Sequence, residues 1–179
     1  MTAHKRCTIM THSGFSLIEL LVVISIIAIG SSMAIFGFNS YQVKSNVERQ
    51  VREMATDMND LRIRALTTKQ RHSMVLYPNY YVMKWYSSET YVSGTDLVTY
   101  GNTLPGGNHN VKYGLQTSVD NSTGFAIELN QRGMLTALPQ TIYLTGASTT
   151  GAAFNCLTIH TVRVNIGKQN ATTGVCDDI

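Results

Sequence analysis

An isolated carboxylate, Glu19, stands at the front of the run LIELLVVISIIAIG, four residues after the Phe15 of a Gly14–Phe15 step. An acid at the centre of an apolar helix costs about 2.5 to 3.5 kcal/mol on insertion scales, and less near the helix end. A cation should therefore neutralise it. Cleavage between Gly14 and Phe15 would create an α-amine one helical turn from Glu19, mostly protonated at neutral pH because such amines titrate at about 7.7 to 8.0. Within one chain that pairing is local; between stacked chains the amine of one helix would neutralise the acid of the next and act as an assembly signal. A helix N-terminus also favours a nearby carboxylate, by typically less than about 1 kcal/mol.

Two further residues, Cys156 and Cys176, lie far beyond the apolar block, whereas Cys7 precedes it. If the two ends occupy opposite sides of a membrane, Cys7 stays reduced and the distal pair can oxidise. Closing a loop of that size would stabilise the fold by roughly 3 kcal/mol in the chain-entropy model. The alternative is two unpaired small hydrophobes. His72, His109 and His160 lack ligand spacing with the cysteines or with paired acids, and PGGNHN lacks the lysine and following helix of a phosphate loop. No catalytic constellation emerges, so no enzyme activity, cofactor or metal site is expected. The acceptor patterns NST at Asn121 and NAT at Asn170 read as turns.

The elements that must position these groups follow from the patterning. Leu20 to Phe38 is a stretch of 19 uncharged residues, roughly 28 Å as a helix. That length suits a transmembrane helix. A secretory signal peptide cut after AIG at 28 to 30 and a buried core helix are the competing readings; an acid has no use in a discarded segment, and the run is long for a core helix. Basic residues flank it on both sides, Lys5 and Arg6 before it and Lys44, Arg49 and Arg52 after, so charge does not orient it. The distal cysteines are the better clue. Net charge is +3, and beyond Gly14 the balance is 12 basic to 11 acidic side chains, which is no general nucleic-acid footprint.

After the apolar block, Val47, Val51, Met54, Met58, Leu61 and Ala65 recur at helical spacing and form one face. Glu48, Arg49, Arg52, Glu53, Asp57, Asp60, Arg62 and Arg64 lie opposite as a mixed, solvated face. This predicts a helix continuing to about Thr67 that packs on a sheet. Segments 72–77, 80–86, 97–100, 110–115, 124–130, 140–145 and 156–166 are rich in β-branched and aromatic residues and read as strands. YPNY, LPGGNHN, VDNSTG and QRG read as turns. In the last strand the apolar parity changes between Ile159 and Val162, so a bulge or bend is expected near His160 and Thr161. The fold class is α+β, a long helix on antiparallel sheet.

The basic leader followed by GFSLIELLVVISIIAI at 14 to 29 resembles the class III signal and N-terminal helix of type IV pilins and type II secretion pseudopilins. The resemblance implies cleavage after Gly14 by a prepilin peptidase, methylation of the Phe15 amine, and pairing of Glu19 with that amine during filament assembly. It divides the chain into a leader (1–14), a transmembrane and assembly helix (15–41), an amphipathic continuation (42–67) and a β-rich domain (68–179). No proline interrupts the helix, which leans toward a pseudopilin or minor pilin rather than a major pilin. FAIELNQRGMLTALPQTIYL with CLTIHTVRVNIGK resembles the globular part of the GspH/FimT family, with Gly133 and Gly167 as its turn glycines. The implied setting is a single pass through a bacterial inner membrane with the C-terminal domain in the periplasm. Implied partners are other pilin subunits, the peptidase, the inner membrane and secreted cargo. Some relatives take up DNA through a basic motif near the C-terminus; here only Arg163 and Lys168 offer cations, a weak site, with a pilus-tip adhesin in the same alternative class.

Overall fold

The structure is a computed structural model that describes residues 14–87, 94–137, 139–146 and 151–179, with only the backbone of 33–37 and 94–96. Cys7 and the leader up to residue 13 lie outside the described residues. The elements run α1 (Leu17–Thr68), β1 (Arg71–Leu76), β2 (Tyr80–Tyr86), α2 (Gly94–Thr99), β3 (Asn102–Asn110), β4 (Leu115–Thr117), β5 (Phe125–Leu129), β6 (Gln140–Leu144), β7 (Cys156–Ile159), β8 (Val164–Gln169) and β9 (Cys176–Asp178). By its internal contacts the chain divides after Asn39.

In the first unit, the large apolar side chains of α1 from Leu17 to Ile29 are exposed on every side of the helix. Two serines in this stretch satisfy their hydroxyls internally, Ser25 Oγ donating to the Leu21 carbonyl at 2.8 Å and Ser32 Oγ to that of Ile29 at 2.7 Å. Such back-bonding removes the polar cost of a serine in apolar surroundings. Among the described residues no helix is long and apolar enough to cross a membrane. The run expected to do so, Leu20–Phe38, includes 33–37, whose side chains lie outside the described residues.

In the second unit the predicted stripe of α1 is the centre of the core: Val47, Val51, Met58, Leu61 and Ala65 are fully buried, and Met54 nearly so. Met74 and Leu76 of β1, Ile127 and Leu129 of β5, Ile142 and Leu144 of β6, and Leu157 and Ile159 of β7 complete it. Two antiparallel sheets supply these strands, in the orders β3-β2-β1-β5 and β4-β6-β7-β8-β9. α1 ends at Thr68 with Lys69 in the left-handed region at φ 55°, a C-terminal stop made without glycine.

Four expectations are corrected. Segment 97–100 is not a strand, its first three residues ending α2: this helix lies against β5 and β1, Leu97 is buried, and the Tyr86 hydroxyl donates to the Leu97 carbonyl at 2.6 Å. Local β propensity is weaker than that tertiary contact. LPGGNHN is not a turn but most of β3, an edge strand; between the pairs Val82↔Asn108 and Lys84↔Thr103, residues 104–107 bulge opposite Met83 alone. An edge bulge tolerates Pro105, which cannot donate to a ladder. Segment 110–115 is largely a turn, because the Gln50 side chain takes the strand partner's place at Tyr113. Its amide donates to the Tyr113 carbonyl at 2.8 Å and accepts from the Tyr113 amide at 3.0 Å. Finally, the expected strand 156–166 is a hairpin, β7 and β8 pairing Leu157↔Ile166 and Ile159↔Val164, and the parity change is the turn itself.

Candidate functional site

Gly14 precedes α1 in an exposed, irregular stretch. A Cβ built on it meets nothing within 4 Å, and its φ is not left-handed, so neither space nor backbone requires glycine there. Phe15 is 80% exposed. Ser16 occupies the N-cap position, its carbonyl accepting from the Leu20 amide at 3.1 Å. Glu19 lies in the first turn, so Ser16-x-x-Glu19 has capping-box spacing. Capping spacing thus stands beside the assembly role expected from the sequence, and the two are compatible because both place a carboxylate at the positive helix end. The Phe15 nitrogen and Glu19 are one turn apart in sequence, the spacing at which groups on a helix meet.

Residues 9–35 match the family described as Prokaryotic N-terminal methylation motif. That span contains Gly14, Phe15, Glu19 and most of the exposed apolar turns. The chain carries a type IV pilin-like prepilin signal. Such a signal indicates a pilin-like or pseudopilin subunit, with processing by a prepilin peptidase and assembly with other pilin subunits. No curated protein and no solved structure matches this chain.

Cys156 and Cys176 form a disulfide with 6.0 Å between their Cα atoms. Gly133 is a turn glycine, at φ 66°, where a Cβ would lie 2.9 Å from the Arg62 carbonyl oxygen. Gly167 is not a turn glycine; it lies inside β8, paired with Cys156 on one side and Asp178 on the other.

Arg163 and Lys168 are both exposed, but the fold does not make a cationic patch of them. Lys168 stands opposite Asp177 in the β8–β9 register, and Arg163 lies in the β7–β8 turn. Five residues of strand separate them, roughly 16 Å. The histidines take structural places. His72 is buried, its Nδ1 lies 3.0 Å from the Gln70 carbonyl, and desolvation holds its pKa below the ordinary histidine value. His109 stacks on Tyr81, with 4.9 Å between ring centroids, and its ring nitrogens lie 3.7 Å from Glu53 and 3.8 Å from Asp57. His160 Nε2 is 3.6 Å from Asp178. Among the described residues no group of three or more His, Cys, Asp or Glu is arranged to hold a metal ion.

The acceptor patterns are occupied as turns: Asn121 is buried and donates to the Leu115 carbonyl at 3.1 Å, and the Asn170 side chain accepts from the amides of Thr172 and Thr173.

Two α1 residues expected on a solvated face do more. Asp57 accepts a 2.5 Å hydrogen bond from the Tyr81 hydroxyl, and burial first, then Asp57, holds that hydroxyl far above the ordinary tyrosine range. Arg62 donates to the carbonyls of Gly133 and Val162, both at 2.8 Å, and of His160 at 3.4 Å, clamping two turns to the helix. Their positions flanking the apolar stripe were the available signal; a polar residue next to such a stripe sits at its rim and can reach across the packed layer.

Proposed function

We propose that this chain is a minor pilin or pseudopilin of GspH/FimT type, cleaved after Gly14, N-methylated at Phe15, and assembled into a type IV pilus or type II secretion pseudopilus. Before assembly it sits in a bacterial inner membrane as a single pass, with residues 42–179 in the periplasm. It performs no reaction of its own; Glu19 sets the register of each incoming helix by pairing with a neighbour's methylated amine.

The observation that carries this reading is the match over residues 9–35. Support comes from the side chains it covers. A helix that is apolar on every side, as α1 is from Leu17 to Ile29, is stable only in lipid or among other apolar helices. A glycine at 14 that the fold does not need is in keeping with recognition by a peptidase.

The test is the mass of the N-terminal peptide of the chain recovered from membranes of its own host. A peptide beginning at methylated Phe15 is expected. One beginning at Met1, or after Gly30, would overturn the proposal.

A further inference from the structure

β9 pairs with β8 at the edge of its sheet, yet its Cys176 is bonded to Cys156 on β7, two strands away. Strands that far apart in a flat sheet are separated by about 9.5 Å. The two Cα atoms are 6.0 Å apart. β9 has therefore curled over β8, and the disulfide crosses the β8 backbone at Gly167. A Cβ there would stand 2.7 Å from Cys176 Sγ and 2.5 Å from the Asp177 carbonyl oxygen, while the φ of Gly167 is not left-handed. Closeness, not conformation, demands the glycine.

Beyond its ladder with β8, β9 is held by polar contacts and buries little apolar surface. Its three residues, Cys-Asp-Asp, include no large apolar side chain, and the flanking Val175 and Ile179 are 55% and 82% exposed. Its side-chain ties are Asn165 Nδ2 to Asp178 at 2.6 Å, Asn170 Nδ2 to Asp177 at 3.3 Å and His160 Nε2 at 3.6 Å from Asp178, and the Ile179 amide donates to the Ile166 carbonyl at 3.1 Å.

We infer that the disulfide seats β9 as a redox-dependent guard over the β8 edge, closed by oxidation across Gly167 and opened when an external dithiol gives it two electrons and two protons and itself becomes a disulfide. In the closing step a thiolate of the pair attacks the disulfide of an external disulfide-bearing oxidant; the second cysteine then displaces that mixed disulfide. The S–S bond forms, the oxidant's two sulfurs leave as thiols, and the two cysteines' protons and two electrons go with them. In the reduced chain β8 is an unpaired edge, of the kind that recruits another strand, and Lys168 loses its cross-strand Asp177. The inference does not depend on the pilin-like reading of the N-terminus.

The test is hydrogen–deuterium exchange on the full chain in detergent micelles, before and after reduction with a phosphine. Amides of 176–179 should exchange at least about tenfold faster after reduction, with β1 and β2 unchanged. Unchanged protection at 176–179 would overturn the inference. So would an equal loss in β1 and β2, which would make the bond a general staple. In Gly167→Ala, with glutathione disulfide as oxidant, closure followed by thiol alkylation should be at least about tenfold slower while β1 and β2 stay protected. Closure at the native rate would remove the crossing argument, and if the variant fails to protect β1 and β2 the reduction experiment decides.

Discussion

The Tyr86 hydroxyl donates its one proton to the Leu97 carbonyl, so Ser73, 2.6 Å away, must be the donor in their shared hydrogen bond. Burial pushes the Tyr86 pKa up to about 12. Its proton is held more tightly in the folded chain than in the unfolded one, where tyrosine titrates near 10. The stabilisation is therefore complete below about pH 10 and is lost as pH rises toward 12, a loss on the order of 2 kcal/mol. Circular dichroism melts between pH 8 and 12 should show a steeper fall in Tm for the native chain than for Tyr86→Phe. Tyr81→Phe removes a buried donor to a carboxylate and should cost about 1.5 to 3 kcal/mol by urea denaturation at pH 7. Neither tyrosine's partner was legible in the sequence, because Asp57 and Leu97 lie 24 and 11 residues away. Glu19 was legible because its misfit is local: a charge beside an apolar run needs no tertiary contact to be noticed.

At the scale of elements, α1 shows where patterning suffices and where it does not. Its buried stripe was readable because helical spacing is intrinsic to the chain. Its end was readable to within a residue, Thr67 expected against Thr68, but the way it stops was not, since Lys69 adopts a left-handed conformation that favours glycine. Lys69→Gly should raise stability by up to about 1 kcal/mol, net of the entropy cost of glycine, as read from the urea midpoint. Arg62 joins α1 to the turns at Gly133 and at 160–163. Arg62→Ala strands three carbonyls and should cost about 2 to 3 kcal/mol in the same assay. α2 and β3 escaped the sequence for one shared reason. Six residues of helix and a bulged edge strand carry too little periodicity, and what fixes them is the Tyr86 contact in one case and the spare edge of β2 in the other.

For the whole molecule, the second unit carries its own core and the first exposes its apolar turns, so damage to one need not unfold the other. Glu19→Ala should leave the thermal transition of the full chain in detergent within about 1 kcal/mol of native, since only a helix-end interaction is lost. Incorporation into filaments in the native host should fall to background; normal incorporation would remove the role proposed for Glu19. What the sequence determined by itself was the prepilin-like signal, the buried stripe of α1, the α+β class, most strands and the capacity of Cys156 and Cys176 to pair, because each is written in spacing over a few neighbouring residues. Tertiary structure alone decided that 97–99 is helix, that Gly167 is crossed by a disulfide, and that Lys168 stands opposite Asp177 rather than on an open cationic surface. Those outcomes depend on which distant backbones approach one another, and the pleat and the helical period hold no record of that.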